Sequence, residues 1–275
     1  MNCVETFILS ITLGLSMSAA ASKPDPKIVG IETALGKLEN GTLASEMRIS
    51  PDGKRLLQLI VRDEQYFVAI NDQISPAYTG VTKDSLRFSP DGKRFCYGAR
   101  IGDRKFVIVD GKEYPAFDGS AAGMPVFSPD SQHFAYVALR GGKQCVVRDG
   151  EPGADFEMVS NIPPLFSPDS QRLAYLAKDG ERGLVVLDGK AGESFRNIAA
   201  MSFSPDSQHF AYIAISLTTM SLMLDGREIF RDERFVKDSM GFDGSNGLHV
   251  LTLRDGQIIR ARFEIMSIPR NAPGP

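Results

Sequence analysis

Aspartates recur in this chain at a fixed interval, and carboxylates are the groups that bind calcium or transfer protons in catalysis. Each follows a Ser-Pro pair, and together they are Asp52, Asp91, Asp130, Asp169 and Asp206. A metal site needs ligands that converge on one point, whereas a periodic residue occupies the same place in successive copies of a unit. We therefore interpret these aspartates as turn-stabilising residues and predict no metal, no cofactor and no catalytic residue.

The histidines and cysteines give no stronger sign of catalysis. His133 and His209 share one repeat position in non-adjacent copies, and His249 occupies another. Cys96 and Cys145 stand where other copies carry alanine, phenylalanine or leucine. We predict that both cysteines are small buried hydrophobic residues. A disulfide between neighbouring repeats is the alternative in an exported protein.

The unit that carries these residues is a repeat of about 39 residues. One copy, VFSPDSQHFAYVALRGGKQCVVRDG, runs from Val126 to Gly150. The Ser-Pro pairs that mark the copies begin at Ser50, Ser89, Ser128, Ser167 and Ser204. A degenerate sixth copy, GFDGSNGLHVLTL, begins at Gly241. A fixed period in this range is typical of repeat architectures.

Each copy predicts four short antiparallel strands. Ser-Pro-Asp suits a turn between the first two strands, because proline fixes φ and aspartate bonds back to the backbone. An Asp-Gly pair after the third strand predicts a type I′ hairpin. We place the fourth strand around an aromatic residue in each copy: Tyr78, Phe117, Phe156, Phe195 and Phe235. Four such strands describe a propeller blade.

Six copies predict an all-β, six-bladed β-propeller of four-stranded antiparallel blades over residues 28–266. The sixth copy has no candidate for its outer strand, because a Pro-rich tail, residues 267–275, follows it. We predict that Ile28 to Leu38 supplies this strand and that an N-terminal strand closes the ring. Closure would remove sheet edges that otherwise promote aggregation.

The FSPDG motif, followed by a basic residue, a hydrophobic residue and tyrosine, resembles the WD-like β-propeller repeat of TolB-type proteins. The resemblance covers roughly Ile28 to Phe263. It implies a fold and a binding habit, and it implies no activity.

Candidate binding residues lie between the second and third strands, where the copies differ most, and variable loops on a rigid scaffold commonly carry function. Five copies place a basic residue there: Arg62, Arg100, Arg140, Lys178 and Arg254. The fifth copy carries Leu217 and Met220 instead. We predict that this apolar pair anchors a partner while the arginines orient it. The alternative is a solvated rim neutralised by nearby acids: Asp63, Glu64, Asp103, Asp179, Glu181 and Asp255.

The function that these features favour is that of a non-enzymatic scaffold for a protein or a cell-envelope ligand. The alternative is a propeller hydrolase, lactonase-like, or a polysaccharide lyase with its site at the central channel. Such an enzyme needs converging carboxylates or histidines, and the first-strand residues predicted to border the channel are mostly apolar or small. Arg48 and Arg87 are the exceptions, and we add them to the candidate binding residues.

The composition and the N-terminal segment limit where the protein is located and which partners it has. The chain has 31 basic and 34 acidic residues, so no charge excess favours nucleic acid. Residues 1–21 contain an apolar run, Phe7 to Ala21, which predicts a signal peptide, and residues 22–27 form a linker. An uncleaved membrane anchor is the alternative, although the run is shorter than the roughly 20 residues of a membrane span. We expect a periplasmic or secreted monomer without a membrane span after signal cleavage.

Overall fold

The structure is a computed structural model that describes residues 34–35, 37–115 and 125–266. The chain divides into two compact units, Met1–Ala34 and Leu35–Pro275, and the strands below belong to the second. The predicted signal peptide and linker, most of the predicted closing strand, Phe117 and the Pro-rich tail all lie outside the described residues.

The described residues form strands and no helices, and the strands pair antiparallel in six sheets. The first sheet contains β1 (Thr42–Ile49), β2 (Leu56–Arg62), β3 (Gln65–Ile70) and β4 (Gln73–Ile74). The second contains β5 (Gly80–Val81), β6 (Arg87–Phe88), β7 (Phe95–Ile101), β8 (Arg104–Val109) and β9 (Lys112–Pro115). The third contains β10 (Val126–Phe127), β11 (Phe134–Arg140), β12 (Lys143–Arg148) and β13 (Glu151–Pro152). Each sheet therefore corresponds to one sequence repeat.

The remaining three sheets follow the same order. The fourth contains β14 (Met158–Val159), β15 (Leu165–Phe166), β16 (Leu173–Asp179), β17 (Arg182–Leu187) and β18 (Lys190–Phe195). The fifth contains β19 (Asn197–Phe203), β20 (Phe210–Ile215), β21 (Met220–Leu224) and β22 (Arg227–Asp232). The sixth contains β23 (Gly241–Phe242), β24 (Gly247–Arg254) and β25 (Gln257–Glu264). Among the described residues, the sixth sheet thus has three strands.

The Ser-Pro-Asp segments form the predicted turns in the first five sheets, each between the strand that ends just before the segment and the long strand that follows it. In the third sheet, Ser128 is fully buried and its Oγ donates to Asp130 Oδ1 at 2.6 Å. The same Oγ accepts from the backbone N–H of His133 at 2.9 Å. The Asp-Gly turns are also as predicted, with φ of 54° at Asp149 and 95° at Gly150, which a type I′ turn requires.

The prediction of the fourth strand is wrong in its position. β4, β9, β13, β18 and β22 begin directly after the turn residues, because a two-residue turn returns the chain at once into pairing. Tyr78 and Phe156 lie beyond these strands and form isolated bridges with β3 and β12, respectively. Phe235 bridges Thr252 of the following sheet, and Phe195 alone lies within its fourth strand. The aromatic residues therefore mark the passage between sheets.

The core consists of side chains packed between consecutive sheets. Tyr97, Tyr136 and Phe210 are among its most completely buried side chains. One cluster joins the first and second sheets, and four more join each following pair through to the fifth and sixth. Cys96 and Cys145 belong to one of these clusters, both free and buried, and burial raises the pKa of the Cys96 thiol to about 12. Their predicted role as small core residues is confirmed.

Arginines connect consecutive sheets at the end that carries the Ser-Pro-Asp turns, which we call the SPD end. Arg94 Nη1 donates to the carbonyls of Ser131 at 3.2 Å and Gln132 at 2.6 Å, both in the next repeat. Its guanidinium lies 5.2 Å from the ring centroid of Phe127. Comparable bonds to the next repeat are made by Arg55, Arg148 and Arg172. These arginines hold consecutive sheets together along a row of contacts that we call the seam. They lie away from the variable hairpins.

Candidate functional site

The variable segments lie at the opposite end of the sheets, which we call the hairpin end. Five of its hairpins have two-residue turns: 63–64, 102–103, 141–142, 180–181 and 255–256. In the fifth sheet the connection is longer and spans residues 216–219, closed by a bond from Ser216 N–H to the Thr219 carbonyl at 2.9 Å. The side chains available for binding are therefore mostly those of the strand ends.

The five predicted basic residues do not occupy one structural position. Arg62, Arg140 and Arg254 are the last residues of their strands, whereas Arg100 and Lys178 lie one residue before the strand end. Successive side chains of a strand point to opposite faces of the sheet. The basic residues therefore form two groups that point to different sides of their sheets.

The first group is neutralised by carboxylates. Arg62 pairs with Glu39 at 2.5 Å, and Arg140 with Asp155 at 2.8 Å. Arg254 Nε lies 2.6 Å from Asp232 Oδ2. Burial opposes ionisation of Asp232 most strongly, but hydrogen bonds with Thr252 and Arg254 together lower its pKa. These three arginines fit the alternative of a neutralised rim, although the acids differ from those that the sequence suggested.

The second group is not neutralised. Within the part of the chain that the structure describes, neither Arg100 nor Lys178 lies within 4.0 Å of a carboxylate, and both are exposed. Each lines a cleft at the hairpin end, of about 300 Å³ in the second sheet and about 340 Å³ in the fourth. Of the five predicted basic residues, the two that lack a carboxylate partner among the described residues are thus the two that border clefts.

The cleft of the fourth sheet combines apolar and polar groups. Met158 is 50% exposed and pairs with Lys178 across the strands, and Ile162 is 51% exposed. Asn161 and Asn197 supply amide groups to the same cleft. Met158 and Ile162 are not among the residues predicted from the sequence. They lie in the segment between two Ser-Pro-Asp copies, and such segments are as irregular in sequence as the hairpins. That irregularity was the available signal.

The predicted pair of Leu217 and Met220 does not form an exposed anchor. Leu217 is 81% exposed at the tip of its loop. Met220 is half-buried, packs against the core between the fifth and sixth sheets, and its Sδ accepts a bond from the N–H of Phe235 at 3.3 Å. Met220 is therefore less exposed than the sequence predicted, because its place at the start of β21 turns the side chain towards the core. That the pair binds a partner stays a prediction.

The two arginines predicted near the channel both have interaction partners. Arg48 Nη1 donates to the carbonyls of Ser45 and Met47, each at 2.9 Å, and Nη2 lies 3.5 Å from Asp84. Arg87 also has an interaction partner. Neither residue lines the clefts of the second and fourth sheets.

The periodic aspartates act within their own turns. A hydrogen bond from Ser128 and another from the backbone N–H of Gln132 hold the pKa of Asp130 below its ordinary value. His133 and His209 contact the aspartates of Asp-Gly turns, with Nδ1 to Oδ2 distances of 2.7 and 2.6 Å. Over the described ranges, no group of three or more His, Cys, Asp or Glu is placed to hold a metal ion.

Comparisons with known proteins bear on the fold. No protein-family model matches the chain, and no curated protein sequence matches it. TolB from Acinetobacter baumannii is 18% identical, with 69% of this chain and 53% of TolB covered and a TM-score of 0.39. A eukaryotic initiation factor is 15% identical, with 72% and 56% covered and a TM-score of 0.51. The chain thus spans about half the length of each.

A third similar structure covers more of both chains. The β-propeller domain of Cps50 (Swd1) from Myceliophteria thermophila is 12% identical, with 83% of this chain and 87% of that domain covered and a TM-score of 0.37. Solved β-propellers are among the structures that this chain resembles. At these identities the similarity concerns the fold alone. Within the described ranges, no helix has the length and hydrophobicity that crossing a membrane requires.

Proposed function

We propose that this protein is an exported, non-enzymatic scaffold that binds a protein partner through the hairpin ends of its sheets. The observation that carries the proposal is the cleft of the fourth sheet, where Met158 and Ile162 remain half exposed beside Lys178. Interfaces combine an apolar centre, in which methionine is enriched, with a polar rim. In its broader form, the proposal also includes a cell-envelope ligand that binds to the same groups.

The alternative of a propeller enzyme requires a different site. A hydrolase or lyase of this kind would use carboxylates or histidines that converge at the channel, often around a metal. Stoichiometric calcium or zinc in the purified protein would favour that alternative.

The test is capture of a partner from the native envelope fraction by the tagged full-length chain. The double variant Met158→Ser, Ile162→Ser should lower capture by about tenfold or more, because two interface anchors together commonly contribute over 1.4 kcal/mol. Its melting temperature should stay close to that of the wild type, since both side chains are already half exposed.

The matched control removes two exposed isoleucines elsewhere. Ile49 lies next to a Ser-Pro-Asp turn and Ile74 lies in β4, and they are 62% and 44% exposed. The variant Ile49→Ser, Ile74→Ser should leave capture unchanged. Capture that survives the change in the cleft and is lost with the control would place the binding surface at the SPD end.

We also propose that the six sheets are the blades of one ring, closed when the predicted N-terminal strand, up to the residues before Lys37, adds a fourth strand to the sixth sheet. Lys37 itself is bonded to the first sheet, where its carbonyl accepts from Gln58 Nε2 at 3.0 Å, and the described residues 34–35 and 37–38 are not in a strand. Two observations support this closure. Among the described residues, β25 pairs only with β24 over its eight residues. Ile258 and Ile259 of β25 are 67% and 37% exposed, and an open, apolar edge strand is an aggregation hazard that proteins usually cover.

Hydrogen exchange tests the closure. In the full-length chain, the β25 amides that do not bond to β24 should exchange slowly, because the added strand would accept from them. Deleting residues 28–38 should make those amides exchange at least about tenfold faster, as expected for the loss of about 1.4 kcal/mol of protection. Trimming residues 267–275 serves as the control and should change nothing. Fast exchange in the full-length chain would contradict the closing strand.

A further inference from the structure

The cleft of the second sheet is built around a row of three residues across neighbouring strands. Gly80 of β5 pairs with Arg100 of β7, and Arg100 pairs with Lys105 of β8. The corresponding row of the fourth sheet is Met158, Lys178 and Gly183. The second sheet therefore has two adjacent cations where the fourth has a single cation beside an apolar side chain.

The two cations of this row face each other without compensation. Within the described ranges, no carboxylate lies within 4.0 Å of either Arg100 or Lys105. Like charges directly opposite across two strands are destabilising. Arg62, Arg140 and Arg254 show the contrasting arrangement, since each has a carboxylate partner. An anion bound between Arg100 and Lys105 would supply the missing counter-charge.

The surroundings of the row leave room for an anion. A Cβ at Gly80 would lie 2.5 Å from Arg100 Nε, so glycine leaves the space that the guanidinium occupies. Val81, Thr82 and Ala99 line the rest of the cleft. The cleft of about 300 Å³ is at the small end of ligand sites. It has room for one or two side chains of a partner.

We propose that the cleft of the second sheet is a subsite for the carboxylate of an acidic segment in the protein partner. The inference rests on the proposed function and adds the chemistry of the partner. The planar fork of Arg100 matches a carboxylate, to which it can donate two parallel hydrogen bonds. Lys105 adds a second positive charge beside that fork.

Titration of the isotope-labelled full-length chain with two peptides tests the proposal. The probes are acetyl-Gly-Asp-Asp-Gly-amide and the matched peptide with asparagine in place of aspartate. The acidic peptide should shift the amide signals of Gly80, Arg100 and Lys105. The asparagine peptide should bind at least about tenfold more weakly. Raising the salt concentration from 0.05 to 0.5 M should weaken binding of the acidic peptide, because salt screens exposed charges.

The double variant Arg100→Gln, Lys105→Gln should bind the acidic peptide at least about tenfold more weakly and should melt no lower than the wild type. The control, Lys143→Gln with Lys190→Gln, removes two exposed cations elsewhere and should change affinity less than twofold. Equal loss in both variants, or equal binding of both peptides, would overturn the proposal. So would a site that takes inorganic phosphate and no peptide, since it would be a site for small free anions.

Partner capture separates this inference from the proposed function. If Met158→Ser with Ile162→Ser abolishes capture and Arg100→Gln with Lys105→Gln leaves it intact, the scaffold function stands and the acidic subsite fails. If capture is lost with both double variants, both proposals are supported. Capture that neither variant lowers would overturn both.

Discussion

Replacing Phe210 by alanine is expected to lower the free energy of unfolding by about 3–5 kcal/mol, the usual cost of truncating a fully buried phenylalanine. Phe210 is 1% exposed and packs in the cluster between the fourth and fifth sheets. Its ring centroid lies 4.8 Å from that of Phe203. The truncation would leave a cavity between two sheets whose backbones are fixed by their own hydrogen bonds. Denaturant unfolding of the purified variant measures the effect.

The control for this prediction is Leu217→Ala in the same sheet. Leu217 is 81% exposed, so its truncation should change the free energy of unfolding by less than about 0.5 kcal/mol. A small loss from both variants would mean that the core does not lie between the sheets.

Replacing Arg94 by alanine should cost about 2–3 kcal/mol. Arg94 Nε lies 2.8 Å from Asp110 Oδ2, and Nη1 bonds to two carbonyls of the next repeat. The guanidinium also lies over two aromatic rings, those of Phe127 and Phe134. Hydrogen bonds to charged groups and cation–π contacts each contribute on this scale when partly desolvated. The change would loosen the seam between the second and third sheets.

The neighbouring residue provides the control. The side chain of Lys93 is 81% exposed, and its one ion pair, with Asp91, is 3.8 Å long. Lys93→Ala should therefore cost less than about 0.5 kcal/mol in the same unfolding measurement. Arg94→Lys should fall between the two, because lysine keeps the charge and loses the planar fork. If Arg94→Ala and Lys93→Ala have the same free energy of unfolding, the contacts of Arg94 with the next repeat do not stabilise the fold.

The repeat made the sheets predictable from the sequence. Ser128, Pro129 and Asp130 fix the turn locally, and an Asp-Gly pair fixes the next hairpin, so no distant contact is needed to form either. Copies of these signals repeat through the chain and set both the number of sheets and the order of their strands. The aromatic residue does not predict the position of the fourth strand, because Tyr78 lies beyond that strand and packs between the first and second sheets.

The candidate site was predictable only in part. A shift of one residue along a strand moves a side chain to the other face, and sequence spacing alone did not show that Arg100 and Arg140 differ by this shift. The partners of the hairpin arginines were also not visible. Glu39 lies 23 residues before Arg62, and Asp155 lies 15 residues after Arg140. Which cations remain free depends on these contacts, so the clefts emerged only from the structure.

Hydrogen exchange of the full-length chain, with and without the captured partner, shows whether the partner binds at the hairpin ends of the sheets. Bound partner should slow exchange in the hairpins around residues 100–105 and 178–183 and in the segment 158–162. Exchange in the Ser-Pro-Asp turns at 128–133 and 204–209 should stay unchanged. Slower exchange at those turns, with none at the hairpins, would mean that the partner binds at the SPD end.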